Sequence, residues 1–98
     1  MGSSLKTARF LIDSKRDDAA RGNAQAAFDL GMVYASGADG NDVDLVLAHK
    51  WFNIAAMNGS SRAQECRAEI AEDMTASEIA EAQKRARAWR QRSIMHAA

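Results

Sequence analysis

The basic run near the carboxyl end of the chain is the part of the sequence best suited to binding an anionic ligand. It places five cations within nine residues: Lys84, Arg85, Arg87, Arg90 and Arg92. Such clusters can contact phosphates, and Trp89 lies among them. However, Trp89 follows the apolar spacing of a helix, and Glu78 and Glu81 precede the cations as the helix dipole favours. We therefore predict a solvated, stabilising face, with nucleic-acid or anionic-surface binding through this helix as the alternative.

Residues that could support catalysis or bind a metal are few and isolated. His49 and His96 have no ligand-type residue at a spacing that would place both on one helix face, so we expect His49 to be a partly exposed helix residue. The aspartates of residues 39–44 do not follow the spacing of a calcium-binding loop. Two glutamates near Cys66 would raise the pKa of its thiol and leave it inert. We expect no catalytic residue, no metal, no cofactor and no enzymatic activity.

Charge is balanced in total but uneven along the chain. Thirteen basic and thirteen acidic residues give a net charge of zero, so the total predicts no long-range attraction to nucleic acid or membranes. Residues 1–21 carry five basic and three acidic groups (+2), residues 22–73 three and eight (−5), and residues 74–98 five and two (+3). The acidic middle of one copy could attract a basic end of another. We expect a monomer or a weak, salt-sensitive dimer.

Composition favours one small all-α domain. The 98 residues are 47% hydrophobic, with no proline and six glycines, which excludes a disordered or collagen-like chain and leaves long helices unbroken. The single cysteine excludes an internal disulfide and suits a reducing compartment, so we expect a cytoplasmic protein. The apolar segment at residues 8–12 is too short for a signal-peptide core or a membrane span.

Helix start and stop signals divide the chain into five predicted helices. Their expected ranges are 5–21, 24–36, 45–57, 61–73 and 75 onward. Asn23 and Asp44 are the expected N-caps of the second and third helices, and Ser61 and Thr75 begin capping boxes for the last two. Residues 37–42 form the one clear loop.

Apolar residues at helical spacing predict the buried face of each helix. The faces comprise Leu5, Ala8, Leu11 and Ile12; Ala27, Leu30, Gly31 and Tyr34; Leu45, Ala48, Trp51, Phe52, Ala55 and Ala56; and Ile79, Ala82, Ala86, Trp89 and Ser93. We expect Trp51 to be buried between two helical hairpins.

A small-residue signature repeats along the chain. Gly-Asn-Ala-Gln-Ala at residues 22–26 recurs 37 residues later as Gly-Ser-Ser-Arg-Ala at residues 59–63. A period of this length is typical of stacked helical units, since one unit alone cannot bury its apolar face.

The full repeat resembles a known family. The run Ala-Phe-Asp-Leu-Gly-Met-Val-Tyr-Ala-Ser-Gly at residues 27–37, followed by Asp44, Ala48, Trp51, Phe52, Ala55, Ala56 and Gly59, is similar to the consensus of the SLR family (Sel-one-like repeats), relatives of tetratricopeptide repeats. The chain departs from the pattern in a first loop longer by one residue and in Arg67, which stands where Leu30 stands one repeat earlier. The resemblance implies a short right-handed α/α solenoid of about five helices in a single domain, residues 1–98. Its parts would be a leading helix (1–22), a full repeat (23–59) and a degenerate capping repeat (60–95).

The resemblance also implies a function, that of a protein-interaction or scaffold module whose first helices line a concave surface. Carried onto this chain, the partner-binding residues would be Gln25, Phe28, Asp29, Met32, Ser36, Arg62, Glu65, Glu69 and Asp73. This surface would be acidic, with Phe28 and Met32 as apolar anchors, so the expected partner is a basic or amphipathic peptide or protein. Phe28 could instead pack against the first or fourth helix. A regulatory subunit of an enzyme complex is a further alternative.

Overall fold

The fold consists of helices joined by short turns. The computed structural model describes the backbone of residues 3–97 and the side-chain surroundings of residues 9–38 and 40–93. It contains five α-helices, α1 (Ser3–Ala20), α2 (Ala24–Ser36), α3 (Leu45–Met57), α4 (Ser61–Ala71) and α5 (Ala76–Ala97), with a 3₁₀ turn at Ala38–Gly40. The described residues contain no strand. The predicted all-α fold with five helices is therefore confirmed.

Local capping explains where most of the helices begin. The Asn23 and Asp44 side chains each accept a hydrogen bond of 3.0 Å from the backbone N–H three residues later. Thr75 and Glu78 form the predicted capping box, since each backbone N–H donates to the other's side chain, at 2.8 and 3.1 Å. Gly37 ends α2 in the left-handed conformation, with φ of 71°.

The N-cap predicted for α4 is wrong by one residue. Ser60, not Ser61, has extended backbone, and its hydroxyl accepts a 3.1 Å hydrogen bond from the N–H of Ala63. Ser61 is already helical, so its own hydroxyl is one position too late to cap the first turn. The helix also ends at Ala71, before the predicted end near residue 73.

The core lies where α3 packs against α2, α4 and α5. Trp51 is only 2% exposed, which confirms its predicted burial, and its ring meets that of Trp89 edge-on at 4.8 Å between centroids. Phe52 lies across Gly31 of α2, where a Cβ atom would overlap the ring carbons. The small residue at position 31 therefore allows α2 and α3 to approach closely.

Helix α1 packs less completely than its apolar residues predict. Ile12 and Ala19 contact the core, but Leu11 is 48% exposed and Phe10 is more exposed still. The inclusion of Leu11 in the buried face is therefore wrong, because α1 has its main contacts with α2 alone and one narrow stripe of α1 is covered. The predicted residues Leu5 and Ala8 lie outside the described side chains.

The helices differ in how apolar they are, but none within residues 3–97 is both long and apolar enough to cross a bilayer.

Candidate functional site

The predicted partner residues lie on α2, on α4 and in the turn after α4. The guanidinium of Arg62 on α4 lies 5.1 Å from the centre of the Phe28 ring on α2, so these two side chains are in contact. Most of the predicted residues are exposed there: Gln25, Met32, Ser36, Arg62, Glu65, Glu69 and Asp73. The structure thus leaves solvent access to most of this predicted set.

Phe28 does not belong to the exposed set. Its side chain is only 6% exposed, and its ring centre lies 5.6 Å from that of Phe52 in the core. The guanidinium of Arg62 lies over the face of the ring. The expectation of an apolar anchor at Phe28 is therefore wrong, because α3 presents an aromatic ring to this side of α2. Met32, 41% exposed, is the remaining large apolar residue of the predicted anchors.

Asp29 contributes less negative charge to the surface than predicted. Its carboxylate accepts hydrogen bonds from Lys15 of α1 at 2.9 Å and from Gln25 at 2.8 Å. The Ser36 hydroxyl is also engaged, since it donates to the backbone oxygen of Met32 at 2.7 Å. These contacts stabilise α1 and α2, and they leave α4 as the main source of acidic groups.

The carboxylates of α4 and the turn after it are free of ion pairs with described residues. Glu65 and Glu69 lie four residues apart on α4, and Asp73 follows the helix, all of them exposed. The ion pairs found within the described residues involve other acids. The negative surface predicted from the charge distribution is therefore concentrated on α4.

The cysteine and the histidine have the environments of structural residues. Burial, together with nearby Glu69, raises the pKa of the Cys66 thiol, as the sequence predicts. His49 is only 3% exposed, so the prediction of a partly exposed histidine is wrong. Burial and the nearby Arg67 guanidinium lower its pKa, and its Nδ1 has no hydrogen-bond partner among the described residues.

The described part of the chain contains no group of three or more histidine, cysteine, aspartate or glutamate residues that could hold a metal ion. His96 and Asp39, considered in the sequence analysis, lie outside the described side chains.

The basic residues of α5 are exposed, from Lys84 to Arg92. Arg85 forms a 3.1 Å ion pair with Glu81, as expected for a pair four residues apart. Arg90 is exposed but also contacts α3, because its Nη1 donates a hydrogen bond of 3.4 Å to the sulfur of Met57. The basic helix therefore borders α3 on one side.

A cleft opens between the end of α1, the second half of α3 and α5. Its cavity is about 300 Å³, with apolar lining from Ala19, Ile54, Met57 and Trp89. Cationic and polar groups complete the lining, and none of the lining residues is acidic. This cleft could not be predicted from the sequence, because it depends on how α1 and α5 approach α3.

Lys50 lies one helical turn before the cleft residue Ile54 and is only 9% exposed. Its Nζ lies 4.6 Å from the centre of the Trp51 ring and 5.3 Å from that of Trp89. Burial and the guanidinium of Arg16, followed by those of Arg92 and Arg85, lower the pKa of Lys50 to about 8. No local signal in the sequence indicates this residue, because Lys50 lies outside the apolar face predicted for α3.

No protein-family model, curated protein or solved structure matches the chain. The SLR resemblance stays a prediction based on the residues of the repeat.

Proposed function

We propose that this protein is a non-enzymatic interaction module that binds a basic or amphipathic peptide or protein across α2 and α4. The observation that supports this most directly is the set of exposed α4 carboxylates without ion pairs among the described residues, Glu65 and Glu69 above all. Exposed Met32 on α2 offers an adaptable apolar contact. Lysine or arginine side chains of a partner would complement this surface.

The proposed architecture is a short SLR-type α/α solenoid. Each of α1, α2 and α3 contacts the next helix along the chain, and α3 also contacts α5, two elements later. Contacts of this kind support stacked helical units. The single cysteine supports a reducing compartment such as the cytoplasm as the place of action. A regulatory subunit of an enzyme complex would use the same surface.

The test is a binding measurement with a defined peptide. The probe is a fluorescein-labelled peptide in which lysines flank a central leucine, and binding is followed by fluorescence anisotropy. The double variant Glu65→Lys/Glu69→Lys should bind about tenfold more weakly, because each reversal replaces a surface attraction of up to about 1 kcal/mol by a repulsion. Exposed substitutions of this kind should leave the fold intact by circular dichroism.

A matched control is available on α1. Asp13 and Asp17 are exposed and also four residues apart, so Asp13→Lys/Asp17→Lys makes the same change in net charge on another helix. The control variant should keep the affinity of the parent protein. Equal losses in both double variants would show that total charge, and not the α4 surface, governs binding, and the proposed function would be rejected.

A further inference from the structure

We propose that the cleft between α1, α3 and α5 is a second binding site, which takes an acidic peptide segment with an apolar side chain. A carboxylate of the peptide would lie against Lys50, and its apolar side chain would enter the cavity beside Trp89. This site goes beyond the proposed function, because it uses other helices and has the opposite charge.

Lys50 has no acidic partner among the described residues. A cation that is nine-tenths buried is normally paired with an acid, because removal from water is costly. Lys50 forms no ion pair or hydrogen bond with any described residue. The faces of Trp51 and Trp89 supply part of the lost hydration energy, but they supply no negative charge. An anion would complement Lys50.

Other cations surround Lys50. Arg16 of α1 and Arg85 and Arg92 of α5 all lie close enough to disfavour its protonated form. Arg85 is balanced by Glu81, whereas Arg16 and Arg92 have no ion pair among the described residues. A bound carboxylate would relieve the repulsion among cations contributed by α1, α3 and α5.

The apolar part of the cleft favours a peptide over a nucleic acid as the ligand. The cavity of about 300 Å³ lies at the lower end of ligand-site volumes, and is large enough for an apolar side chain. Ile54, Met57 and Trp89 line it, while Arg21 and Arg90 provide its charged lining. Nucleic-acid backbones are bound by exposed cations along a track. Lys50 does not line the cavity itself but lies one helical turn from its lining residue Ile54. A mostly buried cation next to an apolar cavity fits an acidic amphipathic peptide better.

The test uses a fluorescein-labelled peptide in which glutamates flank a central leucine, measured by anisotropy at physiological salt. Lys50→Met keeps the length of the side chain but removes its charge, and should weaken binding by about tenfold or more. Lys84→Met is the matched control, because Lys84 is exposed on α5 and the charge change is the same. The control should bind as the parent protein does. Replacing the leucine of the peptide by alanine should also weaken binding.

A second variant keeps the test independent of any effect of Lys50 on folding. Ala20 lines the cavity from the exposed end of α1, so Ala20→Trp should fill the cleft and abolish binding without altering the core. The α4 variant Glu65→Lys/Glu69→Lys should bind the acidic peptide at least as well as the parent. Failure of the α4 proposal and failure of this one are therefore separable.

Three results would overturn the inference. Equal weakening by Lys50→Met and Lys84→Met would indicate diffuse attraction to the basic surface. A single-stranded DNA oligonucleotide that binds more tightly than the peptide, and loses affinity with Lys50→Met, would identify a phosphate site. A dimer that forms without peptide and is lost in Lys50→Met would identify a second copy of this chain as the occupant.

Discussion

Replacing Lys50 by methionine is expected to stabilise the protein at neutral pH, although it removes contacts with two indole rings. Methionine has a similar length and adapts to irregular space, so it can occupy the position between Trp51 and Trp89 without a charge. The gain comes from the folded state, where most of the Lys50 side chain is buried and its ammonium has no acidic partner among the described residues.

The magnitude follows from the pKa of Lys50, which is lowered from 10.5 to about 8. At about 1.4 kcal/mol for each unit of difference, folding disfavours the ammonium by about 3 kcal/mol. Loss of the cation–π contacts costs about 0.5–2 kcal/mol. The net gain from Lys50→Met at pH 7 should therefore be about 1–3 kcal/mol in the free energy of unfolding, out of a total of about 5–10 kcal/mol for a domain of this size.

The pH dependence gives the prediction its sign. Below pH 8 the amine is protonated in both folded and unfolded chains, so the penalty is fully present. Between pH 8 and 10.5 the unfolded chain binds the proton that the folded chain releases, and the stability of the parent protein rises with pH. The raised pKa of Cys66 acts in the opposite direction above about pH 9, but it is common to both proteins. The difference between parent and variant therefore isolates Lys50.

The assay is urea unfolding followed by circular dichroism at a series of pH values, with Lys84→Met as the exposed control. We expect Lys50→Met to be more stable at pH 7 and the advantage to shrink as the pH approaches 10.5. The control should change stability by less than about 0.5 kcal/mol. A variant less stable than the parent at pH 7, or an advantage that does not change with pH, would show that the Lys50 ammonium is solvated or already paired.

Further predictions concern the core and self-association. Trp51→Ala should cost about 3–5 kcal/mol and leave the protein largely unfolded by circular dichroism near about 37 °C, and an unchanged melting curve would contradict the assigned core. Gly31→Ala should destabilise the protein despite a gain in helix propensity of about 1 kcal/mol, because the added Cβ atom would overlap the buried Phe52 ring. In a double-mutant cycle, Phe52→Leu should recover part of the lost stability. Sedimentation velocity should give a monomer at physiological salt and a dimer as salt is lowered, whereas a tight dimer insensitive to salt would point to an apolar interface.

Local sequence signals predicted the helices well, because they act within a single turn. The bounds of α2 and α3 agree with the ranges predicted from Asn23, Gly37 and Asp44. These residues cap the helices through hydrogen bonds to backbone groups within one turn, so no tertiary contact is needed. The one-residue error at Ser60 has the same local origin, since adjacent serines compete for the same cap.

The candidate sites could be predicted only in part. Exposure of Glu65 and Glu69 follows from the polar face of α4, which helical spacing alone determines. Burial of Phe28 and His49 could not be predicted from their own helices, because each depends on a neighbouring helix that covers it. The residues of the cleft are further apart in the chain, and no spacing rule relates α1 to α5.

The sequence by itself determined the helical content, the caps and the separation of charge along the chain, because these depend on residue type and near neighbours. Only the tertiary structure decided which charged residues lost contact with water. Lys50 follows polar spacing no differently from an exposed lysine, yet Trp89 of α5 lies across it and Arg16 of α1 approaches it. Whether a residue is buried depends on the helices that pack around it. The cleft between α1, α3 and α5 therefore arises from packing between parts of the chain that are distant in sequence.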